Sequence, residues 1–448
     1  LVRSAERSHP PRRRRRTHWR TMSISADTAA HHPTPAQLRW QRGGIGVFLH
    51  FGLNTFAGVE WSDGTLSPAS FDPRRLDARQ WVAAARVAGA TYVVLTAKHH
   101  DGFCLWPTST TDYSVASSPW RDGAGDVVRE LADACAEAGM GLGLYLSPWD
   151  RHEPRYSDAA AYDDFYCAQL TELCTQYGDL VEIWFDGAGS AGRSYDWKKI
   201  IEVVRTHQPG AVVFNMGDPD IRWVGNEDGL AADPVEYVVD VTRNDVHTDE
   251  VLDFGERYLP PECDVSLRHG WFWHPDDAPK TLEHLLAIHY RSVGLGANLL
   301  LNVPPNRDGL IDDADLTRLQ EYSDELERRF AAPRTAALTA VAPGRWRADF
   351  GSEVTLDHLE LVEDLEGGQR VAAHRIVASG AEIAAGQTIG AGRLHAFPAL
   401  TLSEVEIELT GPDPVLTSVR GFRTGSESIP VPPSVEEYRA ADGDMILM

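Results

Sequence analysis

Short apolar segments alternate with longer stretches of helical apolar spacing between residues 44 and 303. This alternation is typical of β/α units, which build a parallel sheet with helices packed outside it. The apolar segments predict buried strands at 46–51, 92–97, 142–146, 180–185, 211–215 and 298–303. The intervening stretches predict helices at 79–87, 126–138, 159–177, 197–206 and 281–293. Residues 217–278 are less regular and predict long loops around a strand near 237–241.

The number of predicted units favours a closed barrel. Six to eight units in about 260 residues fit a (β/α)8 TIM barrel better than an open doubly wound sheet, whose first turn normally carries a Gly-rich phosphate fingerprint. Neither GxGxxG nor GxxxxGK[ST] occurs. We therefore expect an α/β protein with no nucleotide and no other cofactor.

A different pattern follows the barrel. After a polar helix predicted at 316–330, period-two segments separated by Gly and Pro occur at 354–362, 370–379, 405–409 and 418–422. These segments predict a C-terminal β-sandwich domain over 331–448, after a catalytic barrel domain over 36–330. The sandwich either packs against the barrel or binds sugar, and the sequence leaves both roles open.

The charge balance excludes several partners. The chain has 42 Lys plus Arg against 66 Asp plus Glu, for a net charge of −24, which argues against a nucleic-acid or anionic-membrane surface. No uncharged apolar run approaches the ~18 residues that span a bilayer. We expect no nucleic-acid partner and no membrane association, and we make no prediction of oligomeric state.

The positive charge is concentrated in residues 1–21, which hold eight Arg and one acid. No apolar stretch follows these arginines, as it would in an export signal. We therefore expect residues 1–35 to form a disordered Arg-rich leader, with a start at Met22 as one interpretation. The five cysteines lack CxxC or Cys-His metal spacing. A cytoplasmic protein with reduced thiols is the simplest expectation.

Polar residues follow each predicted strand, where barrel enzymes place catalytic groups. Asp186 is the clearest candidate, because it follows an Ile-Trp-Phe segment and precedes Gly187. From position alone it is either catalytic or a cap of the next turn. Glycoside hydrolysis needs two carboxyl groups. The partner stays open among the loop acids Asp218, Asp220, Glu227, Asp228, Glu236, Asp240, Glu250, Glu256 and Glu262.

His50, His99 and His100 also lie at predicted strand ends. A His-x-His pair after the first strand and an HExxH motif are both absent, so we expect no metal site. Histidines beside aromatic rings suit a polyhydroxylated ligand, because a pyranose presents hydroxyls at its rim and an apolar face to a ring. The tryptophans at strand ends or in loops are Trp61, Trp106, Trp149, Trp184, Trp223, Trp271 and Trp273.

Five motifs then resemble one family in order and register. The segments are GIGVFLHFGLNTF (44–56), YVVLTAKHHDGFCLWPT (92–108), GLGLYLSPWD (141–150), IWFDG (183–187) and NLLLNVPPNRDGLI (298–311). They are similar to the α-L-fucosidases of glycoside hydrolase family 29. The resemblance implies a (β/α)8-like barrel, a C-terminal β-sandwich and retaining hydrolysis of α-L-fucosyl linkages without a metal. It departs at Pro304-Pro305, where Val-Gly-Pro is common.

The resemblance also implies roles for individual residues. Asp186 matches the nucleophile of the family. Residues matching positions that contact the sugar are His50, Glu60, Trp61, His99, His100, Tyr145 and Trp184. Trp271 and Trp273 are candidates for the apolar wall around the fucose methyl group.

The acid/base is the least uniform position in this family. Residues 222–227, which include Arg222, resemble the branch that acts on α-1,3/1,4-linked fucose of Lewis-type glycans. That likeness implies Glu227 as acid/base, with Glu236 and Glu262 as reserves, and a fucosylated oligosaccharide as substrate. The alternatives are an α-1,2-acting or broad-specificity fucosidase, an inactive fucose-binding relative, and a Schiff-base aldolase that uses Lys98.

Overall fold

A computed structural model of the protein describes residues 31–190, 192–241, 249–253 and 255–433. The elements of the first part are, in chain order, α1 (Pro35–Gly43), β1 (Ile45–Leu49), α2 (Leu53–Ala57), α3 (Ala78–Val87), β2 (Tyr92–Lys98), α4 (Val127–Ala138), β3 (Gly141–Leu146), α5 (Ala159–Gln176), β4 (Glu182–Trp184), α6 (Trp197–His207), β5 (Val212–Phe214), β6 (Met216–Gly217), β7 (Arg222–Trp223), β8 (Val238–Asp240), β9 (Asp249–Val251), β10 (Glu256–Tyr258), β11 (Pro261–Ser266), α7 (Leu282–Arg291), β12 (Asn298–Asn302) and α8 (Asp313–Phe330).

Eight of these strands form one parallel sheet that is nearly closed. Its order is β5-β4-β3-β2-β1-β12-β11-β7, and every pairing along it is parallel. An isolated parallel bridge joins Phe214 of β5 to Ile221, the residue before β7, and so connects the two edges of the sheet. All residues of β1 and β2 are buried, because helices cover the outer face and side chains fill the interior. The predicted barrel is confirmed.

The outer helices begin at acidic caps. Asp77, Asp126 and Asp158 accept hydrogen bonds from main-chain N–H groups in the first turns of α3, α4 and α5. Each helix buries an apolar face that includes Trp81 in α3 and Leu131 in α4. The helices and strands share one core, which fixes the strand ends relative to one another.

The apolar runs did not predict seven elements of this part: α1, α2, β6, β7, β9, β10 and β11. Strand β11 reads Pro-Glu-Cys-Asp-Val-Ser, and all six residues are buried. Cys263 and Val265 pack into the core between sheet and helices, whereas Glu262 and Asp264 face the barrel interior. A barrel strand with carboxyl groups on one face has no apolar run to reveal it.

The remaining strands are β13 (Arg334–Thr335), β14 (Ala337–Ala342), β15 (Arg345–Glu363), β16 (Ala373–Ala378), β17 (Ala381–Gly386), β18 (Arg393–Thr410) and β19 (Leu416–Phe422). They pair antiparallel around the long strands β15 and β18, whose register shifts bend the sheet. Leu359, Ile376 and Ile407 lie in a second core of their own. The expected C-terminal β domain is confirmed.

Polar contacts join the barrel to this second unit. The Arg393 guanidinium binds both carboxylate oxygens of Asp233 at 2.8 Å. Tyr290 of α7 and His358 of β15 share a hydrogen bond of 2.9 Å. Within the described ranges, no helix combines the length and apolarity needed to cross a bilayer. The predicted leader concerns residues 1–35, of which 1–30 lie outside the described residues.

Candidate active site

A cavity of about 350 Å³ opens at the carboxyl ends of the barrel strands. Ten of the predicted residues line it: His50, Glu60, Trp61, His99, His100, Tyr145, Trp184, Asp186, Glu227 and Trp271. Its other lining residues are Phe48, Gly187, Ala188, Phe214, Asn215, Trp223, Asp264 and Phe272. The barrel therefore brings together both proposed catalytic carboxyl groups and most of the proposed sugar contacts.

Asp186 lies two residues beyond the end of β4, and both of its carboxylate oxygens have partners. The Tyr145 hydroxyl donates to Oδ2 at 3.0 Å, and the Ala188 N–H donates to Oδ1 at 2.8 Å. His100 Nε2 lies 3.5 Å from Oδ2. Hydrogen bonds to both oxygens hold the carboxyl group in one orientation.

The three cavity histidines are buried, which disfavours their charged forms. Burial lowers the pKa of His50 to about 3, and it also lowers the pKa values of His99 and His100. His50 Nδ1 lies 2.9 Å from the amide oxygen of Asn302, so Nδ1 carries the proton. In its neutral form, His50 therefore leaves Nε2 as a hydrogen-bond acceptor.

Glu227 faces the same cavity from the loop after β7. Burial raises its pKa above the ordinary glutamate value, and the negative charge of Asp186 raises it further. The indole N–H of Trp271 donates to Oε2 at 3.3 Å and opposes this rise. The two carboxyl groups therefore have unequal surroundings: Asp186 accepts two hydrogen bonds, whereas the pKa of Glu227 is raised. Unequal carboxyl groups of this kind suit acid and nucleophile roles.

Glu60 holds the loop that carries Trp271 in place through hydrogen bonds to its main chain. Its carboxylate accepts the main-chain N–H of Trp271 at 2.8 Å and that of Phe272 at 3.3 Å. Asn302 Nδ2 donates to the carbonyl oxygen of Trp271 at 2.9 Å. Both main-chain polar groups of Trp271 are thus held, and burial raises the pKa of Glu60 to about 7.

Aromatic rings form the floor and the rim. The rings of Trp184 and Phe214 stack with centroids 4.0 Å apart, and Tyr145 lies against the same Trp184 ring. At the mouth, Trp61 is 48% exposed and meets Trp149 edge-on at 5.5 Å. Apolar faces at the base and an accessible ring at the entrance suit a pyranose that projects toward solvent.

Two predicted contacts lie outside the cavity lining. Arg222 donates to the carbonyl oxygen of Glu236 at 3.1 Å. Trp273 donates its indole N–H to Asp312, and Phe272 lines the cavity beside Trp271 instead. Successive residues of this loop point in different directions, which the sequence motif alone does not reveal.

The reserve acids also lie elsewhere. The side chain of Glu236 is exposed and does not line the cavity. Glu262 is fully buried inside the barrel, where it accepts the Tyr92 hydroxyl at 2.8 Å and the Trp184 indole N–H at 3.0 Å. Of the three acid/base candidates, Glu227 is therefore the one that faces the cavity.

Lys98 does not line the cavity either. Its ammonium group is fully buried, and it binds Asp150 and Gln169 at 3.0 Å each. An amino group engaged in this way is unsuited to Schiff-base formation, which needs a free amine that faces the substrate. Across the described part of the chain, no group of three or more His, Cys, Asp or Glu is placed to hold a metal ion.

Asp264 is the ionisable cavity residue that the sequence analysis missed. Its position on β11 follows from alternation with Glu262, but the strand itself escaped prediction because it lacks an apolar run. Phe48 and Phe214 were predicted as strand residues but not as cavity residues. Both belong to apolar runs, and nothing in the sequence distinguishes a side chain that faces the cavity from one that faces the core.

Comparison with known proteins agrees with this geometry. A family model described as Alpha-L-fucosidase matches residues 14–329. Alpha-L-fucosidase 1 of Arabidopsis thaliana is 48% identical over 301 residues, which cover 65% of this chain and 60% of that protein. A solved glycoside hydrolase 29 family member from an unknown rumen bacterium is 33% identical with a TM-score of 0.79, covering 91% of this chain and 78% of that one.

A Ruminococcus gnavus GH29 fucosidase solved in complex with fucose is 29% identical with a TM-score of 0.77, and the match covers 89% of this chain and 97% of that one. These findings confirm the predicted enzyme class at the level of the family. Because the family model spans more than half of the sequence, and the two solved structures match about nine tenths of it, the chain belongs to the alpha-L-fucosidase family of glycoside hydrolases.

Proposed function

We propose that the protein is a retaining exo-glycosidase that hydrolyses α-L-fucosyl linkages, with Asp186 as nucleophile and Glu227 as acid/base. The observation that carries this proposal is the unequal environment of two carboxyl groups in one cavity. Asp186 accepts two hydrogen bonds, whereas burial and the nearby charge of Asp186 raise the pKa of Glu227. The solved fucose complex of the R. gnavus relative supports fucose as the sugar.

In the first step, an Asp186 oxygen attacks the anomeric carbon while Glu227 gives its proton to the departing glycosidic oxygen. The bond between the anomeric carbon and that oxygen breaks, and a fucosyl ester of Asp186 forms. In the second step, Glu227 removes a proton from water, which attacks the same carbon and releases fucose and the free carboxylate. This route requires the carboxyl groups to lie ~5 to 5.5 Å apart in the substrate complex.

The remaining cavity residues are assigned to binding. Neutral His50, His99 and His100 exchange hydrogen bonds with fucose hydroxyls, and Trp184 and Trp271 offer apolar surfaces. The leaving group extends past Trp61 at the mouth. We assign α-1,3/1,4-linked fucose of Lewis-type glycans as the preferred substrate, because residues 222–227 resemble that branch. A fucosidase acting on α-1,2 linkages is the second candidate.

The nucleophile assignment is tested with Asp186→Asn. The variant should lose at least about 10³-fold in kcat on an aryl α-L-fucoside, because the neutral amide cannot form the ester. It should still bind fucose in calorimetry and melt at the wild-type temperature. Wild-type turnover in Asp186→Asn would refute the proposal.

Chemical rescue with azide tests the assignment of Glu227 as acid/base. Glu227→Gly should lose activity on natural linkages but recover it on an aryl fucoside when azide attacks the fucosyl ester in place of the water that the missing base would activate, giving an α-fucosyl azide. The linkage class is tested separately, by digesting Lewis-type trisaccharides and 2′-fucosyllactose with wild-type enzyme. Faster release from 2′-fucosyllactose would select the α-1,2 alternative.

A further inference from the structure

Asp264 is a buried carboxyl group that lines the cavity and has no part in the two-step mechanism. It is 4% exposed and lies near the end of β11. Its Oδ1 accepts the indole N–H of Trp223 at 2.7 Å. Its second oxygen has no hydrogen-bond partner among the described residues, and it is not enclosed by protein. That oxygen is therefore available to a molecule in the cavity.

The surroundings of Asp264 disfavour a negative charge. Glu262 lies two residues earlier on the same inward face of β11, and Glu227 lies in the same cavity. No Lys or Arg is among the described residues that line the cavity. Burial raises the pKa of Asp264 well above the ordinary aspartate value, and a negative charge on Glu262 raises it further. These surroundings favour the protonated form of the group.

A neutral carboxyl group combines an acceptor with a donor. The Trp223 N–H occupies the acceptor oxygen, so the O–H is left for the cavity. An isolated antiparallel bridge between Asp228 and Val265 brings the loop that carries Glu227 against the part of β11 that carries Asp264. Asp264 therefore lies near Glu227 in the cavity, where the glycosidic oxygen must sit for protonation.

We propose that Asp264 is a substrate-binding residue whose protonated carboxyl group donates a hydrogen bond to a sugar hydroxyl beside the glycosidic oxygen. The inference rests on the proposed function. The hydroxyl belongs either to fucose or to the leaving-group sugar, and both offer the same acceptor chemistry. Asp264 would recognise the substrate at a point that the family resemblance does not mark.

The test compares Asp264→Asn with Asp264→Ala. Asparagine keeps an oxygen toward Trp223 and an N–H toward the cavity, so it should stay within about threefold of wild-type kcat/KM. Alanine removes both groups and should lower kcat/KM by about 10- to 100-fold, mainly through KM. Equal losses in the two variants would show that the carboxylate form is needed and would overturn the proposal, as would wild-type activity in Asp264→Ala.

Comparing two substrates shows whether the hydroxyl that binds Asp264 belongs to fucose or to the leaving-group sugar. A loss on both an aryl α-L-fucoside and a fucosyl trisaccharide assigns the bond to fucose, and a loss on the trisaccharide alone assigns it to the leaving sugar. Infrared difference spectra of wild type against Asp264→Asn give an independent readout that does not need the alanine variant. The C=O band of a protonated carboxyl group should vanish in the asparagine variant, and its absence from wild type would contradict the proposal.

Failure of this inference is distinguishable from failure of the function. If wild-type enzyme hydrolyses fucosides and Asp186→Asn does not, the mechanism stands whatever Asp264 does. If wild-type enzyme leaves all fucosides intact, the function itself is wrong, and calorimetric binding of fucose to wild type and Asp264→Ala still measures the contact.

Discussion

The indole N–H of Trp271 donates to Glu227 Oε2 across 3.3 Å. The same residue is fixed through its main chain, by Glu60 on the N–H side and Asn302 on the carbonyl side. The position of the proposed acid/base is thus tied to the Glu60 carboxyl group, on the loop after α2, and to the Asn302 amide at the end of β12. Because the bond is to Glu227, Trp271 affects the chemistry as well as the shape of the cavity.

Replacing Trp271 with Phe should move the alkaline limb of the pH profile of kcat/KM to higher pH. The N–H group stabilises the ionised form of Glu227, so its loss raises the pKa of that carboxyl group and keeps the acid protonated further into the alkaline range. The measurement is the full pH profile on an aryl fucoside. Trp273→Phe is the matched control, because Trp273 bonds Asp312 instead. A profile moved to lower pH would contradict the assignment.

The buried acids Glu182 and Glu262 form an asymmetric pair. Glu262 accepts the Tyr92 hydroxyl and the Trp184 indole N–H, whereas Glu182 accepts the Trp40 indole N–H. Burial raises both pKa values, and the negative charge of Glu262 raises that of Glu182 further. Because Glu262 accepts two of these hydrogen bonds and Glu182 accepts one, we expect the shared proton on Glu182. The same Glu→Gln change should therefore have opposite outcomes at the two positions.

Glu182→Gln should cost less than about 1 kcal/mol in unfolding free energy, since the amide imitates a protonated acid. Glu262→Gln should cost about 1 to 3 kcal/mol, because its NH2 group must face the Tyr92 or the Trp184 donor. It should also raise KM, because Trp184 lines the cavity. Denaturant unfolding and aryl fucoside kinetics of both variants test this prediction. Equal effects in the two variants would show that the proton does not lie on Glu182.

The ion pair of Arg393 and Asp233 should stabilise the interface between the barrel and the β domain. Arg393 is 7% exposed in its side chain and Asp233 38%, and the contact is bidentate. We expect Arg393→Ala to lower the unfolding free energy by about 1 to 3 kcal/mol. Arg345→Ala removes a cross-strand pair with both side chains about half exposed and should cost about 0 to 1 kcal/mol. Equal losses in the two variants would argue against a stabilising interdomain pair.

Much of the fold could be predicted because its strands are apolar on both faces. The segments around Val47, Val94 and Leu144 stand out in the sequence for that reason, and the polar residues after them lie at the cavity. Strand β11 could not be found in this way, because Glu262 and Asp264 occupy its inward face. Those acids are stable there only with partners from distant strands, such as Tyr92, and pairings over such sequence separations leave no local signal.

The orientation of loop side chains could not be predicted from the sequence either. Trp271 and Trp273 have similar surroundings in the sequence, yet one contacts Glu227 and the other Asp312. The difference arises from main-chain bonds to Glu60, which precedes this loop by more than 200 residues along the chain. Only the folded chain brings those groups together.

The hydrogen bonds that restrain the main chain of Trp271 affect how a sugar binds. Because Glu60 and Asn302 already restrain the main chain of Trp271, the entropy of ordering that wall is lost during folding and not during binding. The arriving ligand has only to displace water from a preformed surface. Association should then follow simple one-step kinetics, with a rate that rises linearly with sugar concentration and shows no plateau from a slow closing motion.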